Sequence, residues 1–152
     1  MELKTGYKLL QHALTSLNGK FQYAQNGWQT VPGNGCYVAV TDGLTVGGFG
    51  DRLFQVECRE PTGAIAPIGV ICYREVRLVK ELHELRLGST CVKLYRRHGV
   101  EYGVCEGYYE SGQLKYRYHY RQGQLRIGCE GYYESGQLMY RHHYRQGQLI
   151  KG

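Results

Sequence analysis

Six cysteines (Cys36, Cys58, Cys72, Cys91, Cys105, Cys129) and six histidines are the side chains in this sequence best suited to metal ligation or nucleophilic attack. A zinc site needs three or four converging ligands, and no Cys-x-x-Cys pair begins one. His142 and His143 are adjacent, so on a strand they would point to opposite faces. A Cys–His couple formed in space stays open, but nothing marks one cysteine as activated, and an inert buried thiol is the default. Reduced thiols, with no metal and no cofactor, are therefore expected. Gly47-Gly48-Phe49-Gly50 lacks the lysine and the following helix of a phosphate cradle and reads as a loop.

The elements that must hold these residues are bounded by composition. Hydrophobic side chains make up 42% of 152 residues, enough for one ordinary domain or two small ones. No stretch approaches the ~20 apolar residues that cross a bilayer, and Met1-Glu2-Leu3-Lys4 does not open a signal peptide. A cytoplasmic protein is expected, in the host cytoplasm if the gene is viral. The net charge of +6 is uneven: nine basic against eight acidic residues precede Cys91, and ten against five follow from it. Eleven of the 15 tyrosines also lie from Cys91 onward. A boundary near Gly88-Ser89-Thr90 divides a small domain, 1–90, from a second part, 91–152.

That second part repeats. Cys105–Leu125 and Cys129–Leu149 differ only at Lys115/Met139 and Tyr118/His142, with a period of 24. Tyr-x-x-Gly-Gln-Leu starts at Tyr109, Tyr120, Tyr133 and Tyr144. Regular glycines between alternating segments predict an antiparallel meander of five or six strands, with turns at Gly112, Gly123, Gly136 and Gly147. Two-residue loops would set Gly107 against Tyr116, Cys105 against Tyr118 and Glu106 against Arg117. They would also set Tyr116 against Cys129, Lys115 against Glu130, and Glu130 against Arg141. One register fixes both faces. Tyr109, Tyr116, Tyr118, Tyr120, Tyr140 and Tyr144, with Leu114, Ile127 and Leu138, would form an aromatic side of roughly 400–500 Å². Arg117, Arg121, Arg126, Arg141 and Arg145, with His119 and His143, would form a cationic one.

The run Glu106-Gly107-Tyr108-Tyr109-Glu110-Ser111-Gly112-Gln113-Leu114-Lys115-Tyr116 resembles the MORN-type repeat of the YwqK-like variety, over about residues 93–152. The resemblance implies an elongated antiparallel sheet that serves as a scaffold or as a protein- or lipid-contacting module, with no catalytic residues. This copy departs from the family in its richness in Arg and His.

Residues 1–90 read as β-rich. Phe21–Val31 is expected to form a hairpin about Asn26-Gly27. Strands are expected at Cys36–Val40, at Arg52–Cys58 and within Ala64–Val79. Leu10, Ala13, Leu14 and Leu17 share one face of a short helix ending near Asn18-Gly19, and Val79–Leu87 reads as a second short helix or a strand end. The class expected is mainly β, a β-rich α+β arrangement with one short helix, followed by a single-layer meander. The unit resembles a small phage and bacterial domain of unassigned function, through its opening Tyr7-Lys8 and its Phe21-Gln22-Tyr23 segment. It is fainter in its similarity to ADP-ribosyltransferase-like domains, carried by Gly33-Asn34-Gly35-Cys36-Tyr37 and Gln55-Val56-Glu57. That likeness implies Tyr37 and Glu57 as residues holding and acting on NAD, although Thr5-Gly6-Tyr7 stands where the family has a histidine or arginine.

The reading that follows is a non-enzymatic binding protein of phage or viral type, an antagonist of a host defence complex. Its sites would be Tyr116, Tyr118, Tyr120, Tyr140, Tyr144, Arg117, Arg121, Arg126, Arg141 and Arg145. Its expected partner is an acidic protein or a second copy of the chain. Nucleic acid is a weaker alternative, because strand alternation separates the tyrosines from the arginines. The rival reading is an ADP-ribosyltransferase-like enzyme targeted by its repeats.

Overall fold

The computed structural model describes residues 2–46, 48–123, 125–146 and 148–150, and the chain divides between Leu82 and His83 into two compact units. Among the described residues there is no helix, so none is long and apolar enough to cross a membrane. Gly47 and Gly147, in the expected loop and the last expected turn, lie outside the described residues.

The first unit contains β1 (Lys4–Leu10), β2 (Gln29–Thr30), β3 (Cys36–Ala39), β4 (Arg52–Pro61) and β5 (Val70–Leu82). β5 pairs with β4 on one edge and with β3 and β2 on the other, while β1 bridges β4 and β3, so the sheet closes into a small barrel. Closure hides the strand edges. Leu10, Val38, Phe54, Val56, Cys58 and Val76 are among the side chains that fill its interior.

The expected α+β class is thereby corrected to all-β. The apolar spacing from Leu10 to Leu17 is met without a helix. Leu10 ends β1, and Leu14 reaches the same core from a tight turn at φ 63°, in which Leu14 N–H donates to the Gln11 carbonyl at 2.9 Å. Eight residues are too few for a stable helix. Polar side chains also take backbone partners of their own: Asn18 Oδ1 accepts from Lys20 N–H at 3.0 Å. Val79–Leu87, left open between helix and strand, is extended except for its middle: β5 runs to Leu82, and β6 (Glu84–Leu87) begins the second unit.

The hairpin expected over Phe21–Val31 is also absent. Gln29 stands in for a paired strand: its side chain accepts from Ala24 N–H at 2.6 Å and donates to the Ala24 carbonyl at 2.9 Å. That leaves the backbone of Gln29-Thr30 to pair with β5.

The second unit is an open antiparallel sheet of seven strands in chain order: β6, β7 (Thr90–Arg97), β8 (Val100–Tyr108), β9 (Leu114–Arg121), β10 (Leu125–Tyr132), β11 (Leu138–Arg145) and β12 (Gln148–Ile150). Two kinds of turn alternate. At Tyr109 and Tyr133 the N–H donates to the carbonyl of Gln113 or Gln137, both at 2.9 Å. Gly112 and Gly136 supply the positive φ (90° and 94°) that such a three-residue loop requires.

The register agrees with expectation for Gly107–Tyr116, Glu106–Arg117, Cys105–Tyr118 and Glu130–Arg141. Between β9 and β10 it differs. Tyr118, not Tyr116, faces Cys129, and Arg117, not Lys115, faces Glu130. A slip of two residues keeps each of these side chains on its expected face. Closer to the turn, one extra residue lies between Arg126 and Gly128: Arg126 is opposite Tyr120, and Gly128 is opposite His119. This β-bulge reverses the alternation at Arg126.

Glycine lets the tyrosine rings lie flat on the sheet. A Cβ at Gly107 would overlap the Tyr116 ring, and one at Gly131 the Tyr140 ring, whereas at Gly128 it would meet nothing nearer than 3.5 Å. Gly107→Ala and Gly131→Ala should each destabilise the protein by about 1–3 kcal/mol in urea unfolding, as overpacking does, while Gly128→Ala changes little. The Gly107 cost should shrink when Tyr116→Ala is added.

Candidate functional site

One side of the repeat sheet is organised by two acids 24 residues apart. Glu106 is 2% exposed. Its carboxylate accepts from Arg117 on β9 at 2.7 Å and pairs with Lys93 on β7 at 3.4 Å. Burial raises its pKa, and the bond and charge of Arg117 with the charge of Lys93 outweigh that, leaving it below the ordinary carboxylate value. Glu130 repeats the pattern one period on. It meets Arg141 on β11 at 3.2 Å and His119 Nε2 on β9 at 3.0 Å, and it accepts the Tyr132 hydroxyl proton at 2.7 Å. Here too burial opposes ionisation, but the hydrogen bonds from Tyr132, His119 and Arg141 lower the pKa to about 2.

Arg117, Arg141 and His119 are therefore tied to acids, whereas no ion pair is formed by Arg121 or Arg145 among the described residues. Four tyrosines join this charged side. Tyr132 binds Glu130, Tyr108 lies under the Arg86 guanidinium at 4.5 Å, and Tyr95 stacks on Tyr102 at 5.5 Å.

The other side carries the tyrosine ladder. Tyr116 stacks on Tyr118 at 4.9 Å, and Tyr140 on His142 at 5.3 Å. Tyr140 is pushed up to about 12 by burial and by its hydrogen bond with Tyr118. All five tyrosines of the expected site, Tyr116, Tyr118, Tyr120, Tyr140 and Tyr144, are half-buried. Arg126, expected among the cations of the charged side, is here instead. Its guanidinium lies 4.7 Å from the Tyr118 ring centre, 5.8 Å from Tyr120 and 6.0 Å from Tyr144, within the range of cation–π attraction. Burial works against its charge, but hydrogen bonds with the Tyr120 and Tyr144 hydroxyls more than restore it. Its Nε is buried with no hydrogen-bond partner. The bulge that moves Arg126 has no signature in an alternating sequence; the nearest signal is the unmatched Arg126-Ile127-Gly128 between the two copies.

The remaining candidates lie apart. On β5, Tyr37 is opposite Cys72 and Glu57 opposite Arg77, five residues and therefore about 16 Å distant along the strand. Arg77 holds the Glu57 carboxylate at 2.7 Å. Arg77 and Arg59 both stack on Trp28, at 5.1 and 3.9 Å, and Arg59 pairs with Glu75 at 2.6 Å. All six cysteines are buried and unbridged. Burial pushes the Cys58 thiol up to about 12, away from nucleophilic use. No group of three or more metal-ligating side chains converges among the described residues.

No protein-family model, curated protein or solved structure matches this chain.

The depressed Glu130 sets a pH dependence. Above about pH 4.5 the carboxylate is ionised in both folded and unfolded chains, and its full contribution is present. As the pH falls from there to about 2, the unfolded chain takes up a proton that the folded one resists, and stability is lost. With the half-exposed Arg141 discounted, the loss is on the order of 2 kcal/mol. Urea unfolding at pH 6 and pH 3 should show this slope in the wild type and a flatter one in Glu130→Gln; identical profiles would contradict it.

Proposed function

We propose that the chain is a non-enzymatic protein-binding module whose repeat sheet, of the kind resembling MORN-type repeats, presents its aromatic face to an acidic protein. The observation that carries this reading is Arg126, a guanidinium set among Tyr118, Tyr120 and Tyr144 with no carboxylate among its described contacts. Tyrosine and arginine are the side chains over-represented at the energetic centres of protein interfaces. Tyrosine also suits a surface that is wet when free and dry when bound. A partly dehydrated cation gains most from an anion delivered in a water-poor interface. The charged side fits the role less well, because Glu106 and Glu130 already neutralise much of it.

Quantitative affinity capture from bacterial lysate, with and without nuclease treatment, tests this with three baits. A partner held by the wild type should also be held by Arg121→Gln and lost with Arg126→Gln, by a factor of about ten or more for an interface anchor. Recovery of the same proteins by all three baits would refute the reading, and loss on nuclease treatment would turn it toward nucleic acid.

A further inference from the structure

The loop between β4 and β5 is apolar and wet. Ala64-Ile65-Ala66-Pro67-Ile68 holds no polar side chain, and Ile65 and Ile68 are 97% and 96% exposed. Apolar residues scattered singly on a surface are ordinary, but a contiguous apolar display marks a site of interaction. The run is not slack. Thr62 N–H donates to the Cys72 carbonyl at 2.9 Å, and Val70 N–H to the Pro67 carbonyl at 3.1 Å. The Thr62 hydroxyl donates to the Asn34 carbonyl at 2.8 Å and accepts from Ala64 N–H at 3.2 Å. The isoleucines are thus held out on an arch whose ends are fixed, so little freedom is lost when they are buried by a partner.

Beside the arch is an apolar hole. Leu10 and Val38 fill the barrel interior, and on the opposite, outer side of β1 and β3 lies a cavity of about 310 Å³. Whole small molecules are accommodated from ~300 Å³ upward, so four-carbon side chains have room to enter. Leu9 and Leu44, both buried, line it with Val46, Pro67 and Val70. Among the described residues of the lining, Lys8 alone carries a charge. It is opposite Phe54 of the core, and its ammonium is directed to the interior side of the sheet, 5.9 Å from the centre of the buried Tyr23 ring. The wall is fixed: Val40 N–H donates to the Gly69 carbonyl at 2.9 Å, and a Cβ on either Gly43 or Gly69 would strike the other's backbone.

Knob and hole belong to one patch, because Ile68 stands in the chain between Pro67 and Val70, which bound the cavity. A patch that carries both a projecting apolar group and an apolar hole is self-complementary, the property that a two-fold dimer requires. From Glu60 to Tyr73 the chain has no lysine or arginine, so nothing in the arch draws it to an anionic lipid surface. We propose that two copies of the chain associate about a two-fold axis, each placing Ile65 and Ile68 in the cavity of the other. A standard stable interface takes ~20–30 residues from each side. The arch and the cavity rim supply fewer, so the dimer is weak and reversible. It uses no residue of the repeat sheet and is independent of the partner assigned there.

Sedimentation equilibrium of the full chain, from micromolar to millimolar, should show monomer and dimer in exchange. Ile65→Ser with Ile68→Ser replaces side chains outside the core and should weaken the dimer at least about tenfold, as loss of a buried aliphatic contact does. Val46→Asp, at an exposed position on the cavity, should weaken it similarly. The decisive arm mixes these two variants. One keeps the hole and the other the arch, so the mixture should associate more tightly than either variant alone. A wild type that stays monomeric, a dimer indifferent to the isoleucines, or a mixture no tighter than its components would overturn the assignment. So would a monomer that binds phosphatidylcholine vesicles through the same isoleucines, which would give the arch to a lipid surface instead.

Discussion

A pleated strand sends successive side chains to opposite sides, and one inserted residue reverses that order for every position beyond it. The repeat sheet depends on this rule and on its breach near Ile127. Up to the bulge, alternation sorts Arg117 and His119 to one side and Tyr116, Tyr118 and Tyr120 to the other. At the bulge, Arg126 crosses over. A surface rich in tyrosine rings acquires a cation at the position where three of them converge.

Each side is then stabilised by its own chemistry. On the charged side, Glu106 and Glu130 each draw a basic side chain, Lys93 or His119, from the strand before and an arginine from the strand after. The acids therefore link strands across the sheet as well as balancing charge, and cross-strand pairs of this kind contribute roughly 0.2–1 kcal/mol each. On the aromatic side, Gly107 and Gly131 let Tyr116 and Tyr140 lie against bare backbone. A sheet covered partly by its own rings keeps its aromatic face ordered and half-exposed.

The parts legible in the sequence were those where chemistry and spacing pointed the same way. Glycine opposite tyrosine and glutamate opposite arginine recur in two near-identical copies, so Gly107–Tyr116, Glu106–Arg117 and Glu130–Arg141 could be paired by register alone. The bulge was not legible, because a slip of two residues preserves every face and a slip of one has no compositional mark. In the barrel, Leu10 and Leu14 carry a helical spacing that a strand followed by a left-handed turn meets equally well. The Asn26-Gly27 hairpin failed for a related reason: the Gln29 side chain satisfies the Ala24 backbone that a partner strand would have paired. Arg126 was readable as a candidate by type, but not by location.

The position of Arg126 can be read directly from the shielding of its side-chain protons in solution. Seated on the Tyr118 ring, its δ protons should resonate well upfield of their exposed position, with nuclear Overhauser contacts to Tyr118, Tyr120 and Tyr144, and should move back in Tyr118→Leu. Unshielded δ protons, with contacts to Arg117 or His119 instead, would show that the strand alternates without a bulge and that the two sides are not arranged as described.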